Sequence, residues 1–224
     1  MMSFCDVIQF FFLFFFFTKK CVIDSFFFTE NNGRTTTMDK CPVCGQEAQE
    51  QSAILERYVQ ENIVLARAMG VRVCCLGDDG HVVLAAPLAR NSNDKGTGFA
   101  GSLSSLAMLA CWASAARAAE RLCGAGVEHT VVARDAAVRF RRPVRRDFVA
   151  VAQAPTPVAL ADAAAEYASR GRAHLSLHAD VFESAAAETA TEAVPCLTCD
   201  GTYVVLAPAD AGATRAPAAS LAGL

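Results

Sequence analysis

Asn91-Ser-Asn-Asp-Lys-Gly-Thr-Gly-Phe99-Ala-Gly101-Ser-Leu-Ser-Ser-Leu-Ala-Met-Leu-Ala-Cys-Trp112 is the stretch that decides how this chain folds. A polar loop punctuated by Gly96, Gly98 and Gly101 runs straight into a segment, residues 99–116, with no charged residue; charge returns at Arg117. A helix that is apolar on every side has to be enclosed by the rest of its domain. Its amino end gathers backbone N–H groups without helical partners and the positive pole of the helix dipole. The glycine-rich mouth therefore suits an oxygen carrying negative charge.

Outward from this rod, residues 52–69 place Ile54, Leu55, Tyr58, Val59, Ile63 and Leu65 at helical spacing, and Gly70 ends the run. Residues 71–76 and 81–88 are β-rich and flank Gly77-Asp-Asp-Gly80, which reads as a hairpin turn. Past the rod, glycines at 124 and 126 stop the helix, and residues 130–133, 136–141 and 148–153 read as three strands. A short alanine-rich helix follows at about residues 159–169. In residues 173–181, Leu175, Leu177, Ala179 and Val181 face one way, and His174, Ser176, His178 and Asp180 the other. The last strand is placed at residues 202–207. One enclosed helix with strands before and after it predicts an α+β fold, an antiparallel sheet wrapped around a long central helix.

A chain of 224 residues suits one domain with appendages. Net charge is −3 with signs interspersed, which argues for neither a nucleic-acid nor a membrane-surface partner. The basic cluster at residues 139–146, interrupted by Phe140, Pro143 and Val144, reads as a solvated strand face. Ten cysteines without a credible secretion signal point to a reducing compartment, here read as the cytoplasm. Residues 1–37 hold most of the 15 phenylalanines. Their apolar run is shorter than the about 20 residues a bilayer requires and lacks a basic start. Because phenylalanine codons contain only pyrimidines, the expectation is an untranslated pyrimidine-rich leader, with translation starting at Met38; a membrane-seeking leader is the alternative. Residues 38–52 form an extension carrying Cys41-Pro-Val-Cys44, residues 53–207 the folded domain, and residues 208–224 an alanine- and proline-rich tail expected to be disordered.

The run from Pro87 to Trp112 resembles the signature of the YiiD-type thioesterase domain, a hot-dog fold. Ala68-Met-Gly-Val71 is similar to that family's first helix and strand, Arg139-Phe-Arg-Arg-Pro143 to its strand after the central helix, and Gly201-Thr-Tyr-Val204 to its final strand. The resemblance spans roughly residues 53–207. It implies a homodimer paired through its sheets, with acyl-thioester sites near the subunit interface and coenzyme A or an acyl carrier protein as the carrier. Two positions depart from the pattern: Ala100 replaces the first glycine of a pair, and Asp94 stands where a histidine is common.

Thioester hydrolysis needs an oxyanion donor, a positioned water and a proton acceptor. The Gly101 N–H meets the first need, and the missing side chain lets a carbonyl approach. Asn91 or Asn93 orients the water, Thr97 or Ser102 holds it, and Phe99 lies beside the substrate. The central helix has no carboxylate before Glu120, so Asp94 and Asp135 are the candidate bases, Asp135 reaching across the dimer. The bland readings are turn and cap roles for Asn91, Asn93 and Asp94, and backbone bonding for the serines. No Ser-His-Asp hydrolase signature is visible. No cofactor is expected for catalysis. Cys41 and Cys44, with Cys196-Leu-Thr-Cys199, have the ligand types and paired spacing for one structural zinc, if the fold brings the two pairs together. Against hydrolysis stand a non-catalytic module of the same fold, binding acyl chains or a protein, and more remotely an acyl dehydratase or hydratase.

Overall fold

The structure is a computed structural model that describes residues 46–77, 79–124, 127–184 and 194–207. The leader, the Cys41 and Cys44 pair and the tail lie outside the described residues. The chain runs α1 (Gln46–Asn62), α2 (Val64–Met69), β1 (Arg72–Leu76), β2 (Val82–Ala86), α3 (Leu88–Asn91), α4 (Ala100–Cys123), β3 (Thr130–Phe140), β4 (Phe148–Ala152), α5 (Pro157–Arg170), β5 (Arg172–Glu183) and β6 (Leu197–Leu206). The strands form one six-stranded antiparallel sheet in the order β1-β2-β4-β5-β6-β3.

The expected architecture is present. α4 lies in the hollow of the sheet, where Leu103, Leu106, Ala107, Ala110 and Cys111 join Leu84, Ala150, Leu175, Leu177 and Tyr203 in one core. Alanines on that helix face let its backbone come close to the strands, maximising dispersion contacts without large side chains. Enclosure begins at Leu103; Phe99, Ala100 and Gly101 are exposed, so the mouth opens outward. Two polar contacts fix the rod. Tyr203 Oη donates to Met108 O at 2.9 Å, and the Trp112 indole N–H donates to Val131 O at 3.1 Å. α1 packs alongside, its Tyr58 ring stacked on Trp112 at 6.1 Å, and Arg117 donates to Gln51 at 2.6 Å.

The sequence-based boundaries shift in three places. The helix expected over residues 52–69 is two helices broken at Ile63, whose backbone is extended (φ −117°, ψ 93°). The strands expected at 130–133 and 136–141 are a single strand, β3, with a bulge between Ala133 and Asp135. One extra residue in a bulge interrupts the alternation while the ladder continues, which hides the continuity from pattern reading. The last strand starts at Leu197, so Leu197-Thr-Cys199 pairs with Val181, Asp180 and Ala179 in an extended ladder.

The sheet's two edges differ. Alongside β1, Glu56 of α1 accepts the Val73 N–H at 2.9 Å, and Gln60 donates to Val71 O. β3 ends the strand order on the other side, with Val132 and Phe140 41% and 55% exposed. Among the described residues, no helix is long and apolar enough to cross a membrane.

Candidate active site at the mouth of the central helix

The loop between α3 and α4 is held by its own asparagines. Asn91, 2% exposed, donates from Nδ2 to Met69 O and Pro87 O, each at 2.8 Å, while its main-chain oxygen accepts the Phe99 N–H at 2.7 Å. Asn93 bends the next turn: Oδ1 accepts the N–H groups of Lys95 at 2.9 Å and Thr97 at 3.2 Å, and Nδ2 donates to Thr97 Oγ1 at 3.0 Å. This is the bland reading of Asn93, realised as an Asx turn. Gly96 sits at φ +70° with nothing near its missing side chain, so backbone conformation alone selects glycine there. The Gly98 N–H donates to Val144 O at 2.8 Å, tying the loop to the segment before β4.

α4 begins at Ala100, and its first internal bond brings the Leu103 N–H to Phe99 O at 3.1 Å. The first-turn N–H groups, including that of Gly101, therefore have no partner within the helix. A methyl at Gly101 would come within 2.4 Å of Phe99 Cε1, so the ring lies flush over that glycine. An aromatic face 54% exposed beside unpaired N–H groups offers an apolar shelf next to a polarising end. Among the described residues, Asn91 Oδ1 is buried without a hydrogen-bond partner, an acceptor suited to a water with a hydrogen to give. Thr97 and Ser102 are half-buried around the same opening. The candidate carboxylates stand in solvent. Asp94 pairs with Lys95 Nζ at 3.3 Å, and Asp135, at the β3 bulge, lies 3.8 Å from Arg134 Nε.

Residues 52–207 match a protein family described as "Putative thioesterase (yiiD_Cterm)". The chain belongs to that family. Its YiiD_C domain is similar in structure to a Chlorobaculum tepidum TLS protein of unknown function, at 26% identity and TM-score 0.62, covering 71% of this chain and 96% of the other. It is also similar to a Shewanella oneidensis protein described as a putative thioesterase (24%, TM-score 0.58, 70% and 99% covered). A Pseudomonas aeruginosa protein described as a probable thioesterase aligns at 23% identity and TM-score 0.54, with 69% and 95% covered. These likenesses establish the hot-dog fold, and the family supports acyl-thioester hydrolysis. No curated protein matches the chain.

Within the YiiD_C domain the expected zinc ligands Cys196 and Cys199 are both fully buried. Cys196 Sγ accepts from Arg142 Nε at 3.2 Å. Cys199 is hydrogen-bonded to Cys111 of α4, and this bond with burial pushes the Cys111 thiol well above its ordinary value. Extended backbone carries the two sulfurs to separate partners instead of converging them as a knuckle turn does. Among the described residues there is no group of three or more His, Cys, Asp or Glu side chains able to hold a metal ion.

Sequence reasoning assigned His178 to a solvated role and missed its network. His178 Nδ1 lies 2.7 Å from Asp200 Oδ1 and Nε2 lies 3.0 Å from Asp180 Oδ1, while Arg139 Nη1 donates to Asp200 Oδ2 at 2.8 Å. Burial alone would lower the imidazole, but the two carboxylates hold it above its ordinary value. The bonds from His178 and Arg139 in turn hold the Asp200 carboxyl low. The signal was available in the strand pattern: His178 and Asp180 share the outer face of β5, and Asp200 is His178's cross-strand neighbour.

Proposed function

We propose that this domain hydrolyses acyl thioesters of coenzyme A or an acyl carrier protein at the mouth of α4, working as a cytoplasmic homodimer. The observation that carries the reading is the exposed first turn of α4, where the Gly101 N–H has no partner within the helix and the Phe99 ring lies against Gly101, preceded by a loop in which Asn91 Oδ1 is buried and unpartnered. The acyl chain lies along Phe99 and the thioester oxygen turns to the Gly101 N–H. Asn91 Oδ1 accepts one hydrogen of the attacking water, with Thr97 and Ser102 completing its surroundings. Asn93 acts as a positioning residue through Thr97. Attack places charge on the carbonyl oxygen, where the helix end stabilises it, and collapse expels the thiolate. The base is Asp94 of the loop or Asp135 supplied across the dimer. The length of β3 and the apolar residues along its open edge support pairing with a second copy.

Thiol release from a panel of acyl-coenzyme A and acyl-carrier-protein thioesters tests this. Loss of the base lowers kcat about a hundredfold, so comparing Asp94→Asn with Asp135→Asn identifies it. Gly101→Ala drives a methyl into the Phe99 ring and lowers kcat/KM by about tenfold or more. Full turnover in all three variants would place the chemistry elsewhere. The second reading, a binding module, is favoured by the absence of a carboxylate on α4 before Glu120. It predicts acyl-chain binding by calorimetry with no thiol released. A structural zinc on Cys41, Cys44, Cys196 and Cys199 requires Cys199 to leave Cys111; metal analysis of the purified full chain, with Cys196→Ser as control, tests it.

A further inference from the structure

The turn joining β1 to β2 brings together three groups that the acyl site does not use. Cys75 Sγ lies 3.6 Å from His81 Nε2, and His81 Nδ1 lies 2.6 Å from Asp79 Oδ1. The same carboxylate oxygen accepts the His81 main-chain N–H at 3.0 Å, so Asp79 grips both the backbone and the ring of the residue it orients. Burial raises the Asp79 carboxyl, but the bonds from His81 outweigh it and hold the group low, as the carboxylate acceptor the arrangement needs. In the tautomer that gives Nδ1–H to Asp79, the lone pair of Nε2 faces the Cys75 sulfur. This is the order nucleophile, base, orienting acid.

Two further observations show the turn is shaped around the ring. A Cβ at Gly77 would lie 2.1 Å from His81 Cε1 and Nδ1, so only glycine lets the imidazole lie across the turn. Arg121 of α4 donates to Asp79 O at 3.4 Å, setting a fixed positive charge over the same turn. Arg121 stands 21 residues along α4 from Ala100, about 30 Å at the helical rise, so this cluster is remote from the mouth.

We propose that Cys75 is a redox-modification site, oxidised to a sulfenic acid by a small hydroperoxide. Cys75 is 3% exposed among Val83, Ala85 and Val149, which excludes a bulky acyl carrier and suits a reagent the size of hydrogen peroxide. His81 Nε2 takes the thiol proton and the thiolate sulfur attacks one peroxide oxygen. As the S–O bond forms the O–O bond breaks; sulfur loses two electrons, the peroxide gains them, and the departing hydroxide takes the proton from His81 as water.

The experiment treats the purified full chain with hydrogen peroxide for timed intervals, stops each with catalase, unfolds the protein in dimedone so that the trap reaches every sulfenic acid, and maps adducts by peptide mass spectrometry. Cys75 is expected to label ahead of Cys74, Cys111, Cys123, Cys196 and Cys199. His81→Gln slows labelling about a hundredfold, the contribution of a positioned base. Gly77→Ala, which retains all three side chains but displaces the ring, slows it by at least about tenfold. Thermal unfolding confirms that each variant is folded, and Asp79→Asn replaces either one that is not. Labelling of Cys75 at the native rate in the folded His81→Gln and Gly77→Ala proteins, or faster labelling of another of these cysteines in the native chain, would overturn the proposal.

Discussion

Along β1, α1 supplies Glu56 to the Val73 N–H and Gln60 to Val71 O, while Glu56 also holds Arg72 at 2.9 Å. Side chains thus substitute for the strand that would otherwise pair there. Along β3, no described element plays that part, and Val132, Ala133, Ala136, Ala137 and Phe140 face outward from an 11-residue strand. One edge is satisfied from within, while the longer one exposes apolar residues interspersed with Arg134, Asp135 and Arg139. In the proposed dimer the closed edge terminates the sheet and the open edge is where a second copy pairs.

The largest expected effect breaks that comparison directly. Val132→Lys places a strongly hydrated ammonium on the open edge and raises the dimer Kd at least about a hundredfold, ~3 kcal/mol, as read by sedimentation equilibrium. A native chain that sediments as a monomer at micromolar concentration would remove the functional meaning of the contrast. Next, Glu56→Ala deprives the Val73 N–H of its acceptor and costs about 2 kcal/mol in urea unfolding while leaving the dimer constant unchanged. If that variant instead assembles into larger species, α1 is the guard that stops sheet extension on the β1 side. The smallest effect sharpens the contrast by pH. Arg139, Asp200, His178 and Asp180 stitch β3 to β6 and β5. Because His178 is raised in the folded state, its contribution is fully present below the unfolded value of about 6.5 and fades as pH climbs through the folded one. The stability gap between native protein and His178→Gln is therefore largest near pH 5 to 6 and closes in alkali. At the acid end the Asp200 contribution is lost as pH falls through its depressed folded value.

The enclosed helix was legible because residues 99–116 lack charge, and the hairpin because Gly77 and Gly80 bracket two aspartates between β-rich runs. The mouth was legible as a place, since its glycines precede the apolar rod. The duties of its residues were not. Which backbone groups an asparagine meets depends on the folded chain: Asn93 closes its own loop onto Thr97, while Asn91 reaches back to Met69 O and Pro87 O and leaves Oδ1 without a partner. Nor does local pattern disclose that Glu56 reaches the β1 edge, because that contact joins residues 17 apart through helix placement. Cys196-Leu-Thr-Cys199 has the spacing of a metal knuckle, yet spacing is silent about backbone course: β6 begins at Leu197 and carries Cys199 in a ladder, while Cys196 precedes the strand and meets Arg142.

Ser114 lies fully buried on α4, its hydroxyl shared between Gly80 O at 3.1 Å and Gln153 O at 3.2 Å. Through it the rod is bolted to the β1–β2 turn and to the end of β4. A rod anchored in this way does not slide along the sheet. At its other end the loop is equally tied, with the Phe99 N–H on Asn91 O and the Gly98 N–H on Val144 O, which leaves the exposed Phe99 ring as the part free to turn at the mouth.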